Sequence, residues 1–455
     1  MHTSLVSALL LTVAFPAHAF CGLYVGPVDG TLENGSSRVV VARDGDRTTL
    51  TMANDVTADV SDFAMVVPVP ASILTDSVRL ADRDWIDMLD ATTAPRRVAY
   101  SCDDFRQWDS GYDVGHARGC SGGGCGWGDD KASDSGDAGT AVSTGYGTSI
   151  AYDSVVVQAE FAVGAYDVVL LSAEESADLF GWLDQEGYGL PAGAEGVLQE
   201  YIDAGLYFLA VKVSLDDVPD GAYLDPIQFA YDSPGQETWS LPTRLGALNS
   251  AGVQEVQLFT LTSGTQGQTR VINASPIQLE DECMPPPGSD LETFYGEWLA
   301  ESFGSVLPGH VVEYAWPGWQ QCDPCSPGFE TLDPQMLEAF GFTARSVDDH
   351  YSEGFDVFLT RVRARYDAGN AVDLQFAPSY ETGQTQVRFV DYLPELESTY
   401  PICGQGMVQD DPGSCDDAGQ SARVSRPMPS PGQRAVWLPL GLLGLATAFR
   451  RARRG

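Results

Sequence analysis

Lysine is almost missing from this 455-residue chain, occurring at Lys131 and Lys212 only, while arginine supplies the rest of the positive charge. Histidine is nearly as scarce, with His116, His310 and His350 the three beyond the first nineteen residues. The formal net charge is −39, and the four arginines of the extreme carboxyl end leave residues 20–434 at −43. A field of that sign repels phosphate backbones and anionic lipid heads, which excludes nucleic acid as a partner. The chain has no His-Glu-x-x-His, so the zinc-hydrolase class has no foothold. Asp109-Ser110-Gly111 and Asp134-Ser135-Gly136 echo serine-protease nucleophile segments, but loop composition accounts for both. The glycine-rich run Gly119–Gly128 is followed by Asp129-Asp130 rather than by Gly-Lys-Ser/Thr, which argues against a phosphate cradle. Asp410, Asp411, Asp416 and Asp417 lack calcium-loop spacing and read as a solvated linker. No metal and no cofactor is expected.

Long apolar runs are also absent, but two short ones stand at the ends. Leu5–Phe15 is apolar, is broken by Pro16 and leads into Ala17-His18-Ala19, a small-x-small signal that places cleavage between Ala19 and Phe20. Residues 1–19 therefore read as a signal peptide. Ala435–Phe449 is the second run, ending in Arg450, Arg451, Arg453 and Arg454. Its fifteen residues reach about 22 Å as a helix, against a hydrocarbon core of roughly 30 Å, and arginine snorkelling with local thinning closes part of the gap. Positive charge stays cytoplasmic, so 435–449 is expected as a membrane helix, 450–455 as a basic cytoplasmic end, and the body outside. The membrane is thus the expected partner, through this helix. The Pro-rich approach (Pro427, Pro429, Pro431) also resembles bacterial sorting tails that a membrane protease trims, although Cys415 lies well upstream of the helix. The body then stays anchored in the cell envelope, or is released or transferred to the surface after processing.

Between the ends, strand and helix signals intermingle. Ser37–Thr51 contains two β-rich runs meeting at Asp44-Gly45, a hairpin signal, and Phe63–Pro70 is a buried strand whose prolines suit only an edge or an end. Trp85, Ile86 and Leu89 mark a short helix. Strands are expected at 154–161, 166–171, 207–215, 226–231, 253–262, 268–273, 311–316 and 355–366. Helices are expected after a capping box at Ser172–Glu175, over 194–203, over 290–303 and from Asp333 with Pro334 at its first position. The pattern lacks the regular alternation of a doubly wound sheet. The fold class is therefore α+β: mixed, largely antiparallel sheets with several short helices, containing disulfides, plus the C-terminal membrane helix. Residues 20–403 form this envelope domain, with 280–290 the place where two subdomains would meet, 119–148 a disordered loop and 404–434 a Pro/Asp-rich linker.

Nine cysteines fall beyond the leader, where disulfides are the default: Cys21, Cys102, Cys120, Cys125, Cys283, Cys322, Cys325, Cys403 and Cys415. An odd total leaves one over. Cys322-Asp323-Pro324-Cys325 has the spacing of a redox pair, but Pro327-Gly328 follows where such motifs open a helix, so a structural bridge is the first reading and a redox pair or metal ligands are the alternatives. Arg361, Arg363 and Arg365 share one strand face by their period-two spacing. They are candidates to grip an anionic ligand, or to pair with neighbouring carboxylates.

Phe20-Cys21-Gly22, Phe63–Pro70, Tyr166–Glu174, Leu190–Gly193, Pro226–Tyr231, Leu241–Gly246, Cys322–Cys325 and Phe355–Tyr366, taken in order, resemble the bacterial envelope family catalogued as domain of unknown function 2330. The resemblance implies a secreted or membrane-anchored bacterial protein and carries no activity, cofactor or substrate with it. The expectation is an exported envelope protein with a non-catalytic binding or structural role. The alternative is an extracytoplasmic thiol-disulfide protein using Cys322 and Cys325, and a hydrolase would need His310 or His350 beside a Ser or Asp in a cleft.

Overall fold

The computed structural model describes residues 22–27, 32–58, 62–71, 73–100, 154–164, 166–214, 224–249, 252–318, 332–343, 356–397, 399–405 and 422–427. The leader, the glycine-rich loop, the apolar tail and its arginines lie outside these residues. Among the described residues no helix is long and apolar enough to cross a membrane.

Two large sheets organise the chain. The first has five strands in the order β1 (Leu23–Val25), β4 (Asp62–Pro70), β9 (Leu206–Ser214), β8 (Tyr166–Ser172) and β7 (Val156–Val163), all antiparallel. The second has nine, ordered β14 (Ser275–Pro276), β15 (Gly309–Pro317), β16 (Val357–Tyr366), β12 (Gln254–Ser263), β2 (Leu32–Asp44), β3 (Arg47–Ala58), β10 (Ile227–Asp232) and β5 (Ile73–Leu80), with β18 (Thr385–Gln386) beside β15. Its pairing is antiparallel except for β12 with β2 and β14 with β15. Two three-stranded sheets complete the set: β11 (Trp239–Leu241), β17 (Leu374–Pro378) and β13 (Thr269–Val271), then β19 (Arg388–Val390), β6 (Arg96–Tyr100) and β20 (Ala422–Pro427).

Local chemistry explains the elements that were legible. Asp44 pairs with Arg47 across Gly45-Asp46, and Gly45 has the φ of +65° that a two-residue turn demands and a side chain resists. Pro68 and Pro70 lie past the end of β1, where they cost no ladder bond to it. The α-helices are α1 (Arg83–Thr93), α2 (Ser176–Gln185), α3 (Ala194–Asp203), α4 (Thr243–Ala247), α5 (Leu291–Phe303) and α6 (Pro334–Ala339). Asp290 and Asp333 cap α5 and α6 by accepting from Thr293 N and Gln335 N.

The expected capping box at Ser172–Glu175 does not form. Ser172 stays in the β7–β8 ladder opposite Val156, and its hydroxyl accepts instead from Gln158 Nε2 at 2.8 Å. Helix α2 starts later, with Glu175 as its N-cap, and its first N–H goes to Gln199 Oε1 of α3 at 2.8 Å. A tertiary acceptor thus replaces the local cap.

Four layers result. Phe63, Met65, Leu209 and Val211 of the first sheet meet Val39, Met52, Phe229, Leu258 and Val362 of the second in the largest core cluster. The outer face of the first sheet is covered by α2 and α3 through Leu179, Leu183 and Leu198. The outer face of the second is covered by Ile86 and Leu89 of α1 and by Met336 and Phe340 of α6. Strands from both sides of residues 280–290 lie in the nine-stranded sheet. The fold is mixed and mainly antiparallel, with few and short helices among the described residues, so sheet dominates more than an even α+β reading implies.

Candidate functional site

Strand β16 alternates between two worlds. Val362, Ala364 and Tyr366 point into the inter-sheet core, so Arg361, Arg363 and Arg365 are turned together to the opposite face. Glu255 and Gln257 of β12 lie on that face from one side, in register with Arg365 and Arg363. From the other side β15 brings Glu313, the residue skipped in the pairing between Val312 and Tyr314. That β-bulge aims the Glu313 carboxylate beneath the arginines.

An alternating ladder follows. Arg361 Nη1 is 2.7 Å from Asp90 Oδ1 of α1, and its Nε is 2.5 Å from Glu313 Oε2. Arg363 Nε reaches Glu313 Oε1 and its Nη1 reaches Glu255 Oε1, each at 2.5 Å. Arg365 Nε donates to Glu255 Oε2 at 2.7 Å. Tyr295 of α5 donates its hydroxyl to Glu313 Oε1 at 2.5 Å, and Gln257 Nε2 donates to Asp90 Oδ1 at 2.6 Å. Arg38 extends the series, 2.5 Å from Asp87 and 3.9 Å from Asp90 Oδ2. Aromatic rings close the guanidinium faces: Phe259 under Arg361, Tyr295 under Arg363 and Phe303 under Arg365.

The charges cancel, three arginines against Asp90, Glu255 and Glu313. Burial works to raise the Glu313 carboxyl, yet Arg363 and Arg361 outweigh it and hold it at about 2. Burial opposes ionisation of Glu255 in the same way, and Arg363 and Arg365 keep it below the ordinary carboxylate range. Burial and the Glu313 charge push the Tyr295 phenol well above its usual value. Glu313 is fully buried and Arg361 almost so, which leaves the arginines closed on the chain's own carboxylates. As an anion grip they are therefore occupied from within. What the arrangement does is fasten α1 and α5 onto the sheet, because removing one partner of such a buried set typically costs about 3–5 kcal/mol.

The second fastening is covalent. Cys283 and Cys403, both buried, form a disulfide across a sequence separation of 120. On the chain-entropy account a loop of that length is worth roughly 5 kcal/mol. Cys21, Cys102, Cys120, Cys125, Cys322, Cys325 and Cys415 lie outside the described residues, as do Ala19, Phe20, His116 and His350.

The remaining ionisable groups are scattered. Burial lowers the His310 pKa, and the ring bonds to the backbone of Ala274; among the described residues its Nδ1 has no partner. No described Ser or carboxylate is bonded to it. Tyr201 donates to Asp373 Oδ1 at 2.7 Å, while Arg244 pairs with Glu200 at 2.5 Å, joining α3 to α4 and the chain before β17. Burial, then the neighbouring Glu282, raise the Asp281 carboxyl to about 6. A cavity of about 20 Å³ between the sheets, lined by Tyr24, Met65, Tyr166 and Asp225 among others, has room for one or two waters. Among the described residues no group of His, Cys, Asp and Glu is arranged to hold a metal ion.

The family described as "Uncharacterized protein conserved in bacteria (DUF2330)" matches residues 15–377, most of the chain. No curated protein matches it. Among solved structures, the crystal structure of baculovirus P35 aligns over 78% of this chain and 99% of its own, at 12% identity and a TM-score of 0.28, a superposition too loose to carry an argument.

Proposed function

We propose, from the premise that this chain belongs to that bacterial family of uncharacterised proteins, that it is an exported envelope component with a non-catalytic binding or structural role, held at a membrane by its carboxyl end. The observation that carries the reading is the buried Cys283–Cys403 bridge, since a structural disulfide suits a protein that matures outside the reducing cytoplasm. It agrees in direction with the leader ending at Ala19 and with the arginine-ended apolar run 435–449. Support for a non-catalytic role comes from the ion ladder, whose ionisable groups are neutralised by one another. The rival thiol-disulfide reading rests on Cys322 and Cys325, which lie outside the described residues.

Fractionation of a bacterial host expressing the full chain tests this. The expected result is a product starting at Phe20 in the membrane fraction, and a variant stopped after Arg434 appearing in the soluble extracytoplasmic fraction. Recovery of the full chain in the cytosol with Cys283 and Cys403 reduced overturns the proposal. Thiol titration of the exported product separates the rival: a Cys322/Cys325 bridge with a potential below about −300 mV is structural, and a much higher one favours redox exchange.

A further inference from the structure

The last long described stretch of the chain is woven over an earlier one. Glu282 N donates to Arg388 O at 2.8 Å and Val390 N to Cys283 O at 2.9 Å, so the segment 282–284 lies along β19. On its other side Met284 N donates to Pro401 O at 2.8 Å and Cys403 N to Met284 O at 3.0 Å. Arg388 and Glu282 add an ion pair at the surface, and Val98, Met284, Val390 and Leu396 form a small core beneath. Residues 388–403 are held further by the parallel pairing of β19 with β6, by the Arg97–Asp391 ion pair and by Phe389 packed against Phe294 and Tyr295, all of them non-covalent when the chain beyond is pulled. Hydrogen bonds of this kind, loaded at one end, break one after another.

The disulfide changes the path of that tension. It joins Cys283 to Cys403 in the middle of the weave, and everything between them, including β15, β16, α5 and, from the ion ladder, Glu313 with Arg361, Arg363 and Arg365, lies inside the closed loop. We propose that Cys283–Cys403 acts as a mechanical stop, which passes tension arriving from the carboxyl-terminal side directly to residue 283 and shields the enclosed strands from being peeled. The reason tension would arise there rests on the proposed anchoring of the carboxyl end. The stop itself does not, because it follows from where the bridge sits in the chain.

Single-molecule pulling on the mature full chain, with click handles introduced at Gly22 and Gln405, tests it. For the oxidised protein the expected total extension is shorter by about 40 nm than for the Cys283→Ser/Cys403→Ser variant, from 120 enclosed residues at roughly 3.4 Å each. The variant is also expected to show an added early step at lower force, as residues 388–403 peel. Should the variant fail to fold, a phosphine reductant applied to folded wild-type protein already held between the handles gives the same comparison. Equal extensions with and without the bridge, or an unchanged first rupture when it is absent, overturn the proposal. Failure of the anchoring reading shows instead in the fractionation and leaves the extension difference intact.

Discussion

Glu313 and Arg363 face each other across neighbouring strands, Oε1 of one 2.5 Å from Nε of the other, with the carboxylate fully buried at a β-bulge. Each carboxylate oxygen of Glu313 serves an arginine, Oε2 going to Arg361. The geometry leaves no slack for a neutral replacement.

Glu313→Gln is therefore expected to destabilise the folded protein by about 3–5 kcal/mol, since it strands two buried guanidinium groups with a single carboxylate fewer. Replacing Arg361, Arg363, Arg365, Asp90, Glu255 and Glu313 together by apolar residues of similar volume, which leaves none of these charges unpaired, is expected to cost far less. Urea unfolding midpoints of the two variants check this, and equal losses would contradict the ladder as a coupled unit.

Acid should erase that difference. The Glu313 carboxyl is depressed in the folded state to about 2, so its contribution is present above its unfolded value near 4.5 and is lost as pH falls through the folded one. The shift corresponds to roughly 3 kcal/mol. The gap in stability between wild type and Glu313→Gln is expected to be constant above pH 5 and to shrink toward pH 2. A gap unchanged down to pH 2.5 would sink this account.

Asp281 works in the opposite sense. Its folded carboxyl is raised to about 6, so the protonated form is the one the fold prefers, and stability present below pH 4 declines as pH rises through 6. Asp281→Asn should gain about 1 kcal/mol at pH 8, after discounting for its partial exposure, and nothing at pH 4. Thermal unfolding at the two pH values reads it directly.

Gly267 has φ +66°, and a Cβ there would lie 2.2 Å from the carbonyl oxygen of Glu381. That oxygen already accepts from Gln268 N at 2.8 Å and cannot retreat without breaking the bond. Gly267→Ala is expected to cost about 2–3 kcal/mol, whereas Gly45→Ala, with open space around it, should cost about 1 from backbone strain alone. Chemical denaturation of both variants gives the comparison.

How far the sequence could be read depended on the range of the interaction. The turn at Gly45, the caps Asp290 and Asp333 and the helix 194–203 are set by residues within a few positions of one another, and they stand where their chemistry places them. Ser172 shows the limit: a local capping signal lost to a strand ladder and to Gln158. The shared face of Arg361, Arg363 and Arg365 was legible from period two, but their partners were not. Glu313 carried one faint mark, an acid inside the otherwise largely apolar strand His310–Pro317, while nothing near Asp90 announces an arginine 271 positions later.

The chain alone thus determined its charge imbalance, its turns and caps, and which side chains of a strand travel together, because these depend on composition and on backbone periodicity. The tertiary structure decided which carboxylates neutralise the arginines, that Cys283 takes Cys403 among nine cysteines, and how two sheets share one core. Those choices are made between residues 48 to 271 positions apart, where nothing local discriminates one partner from another until the sheets have packed and excluded water from between them.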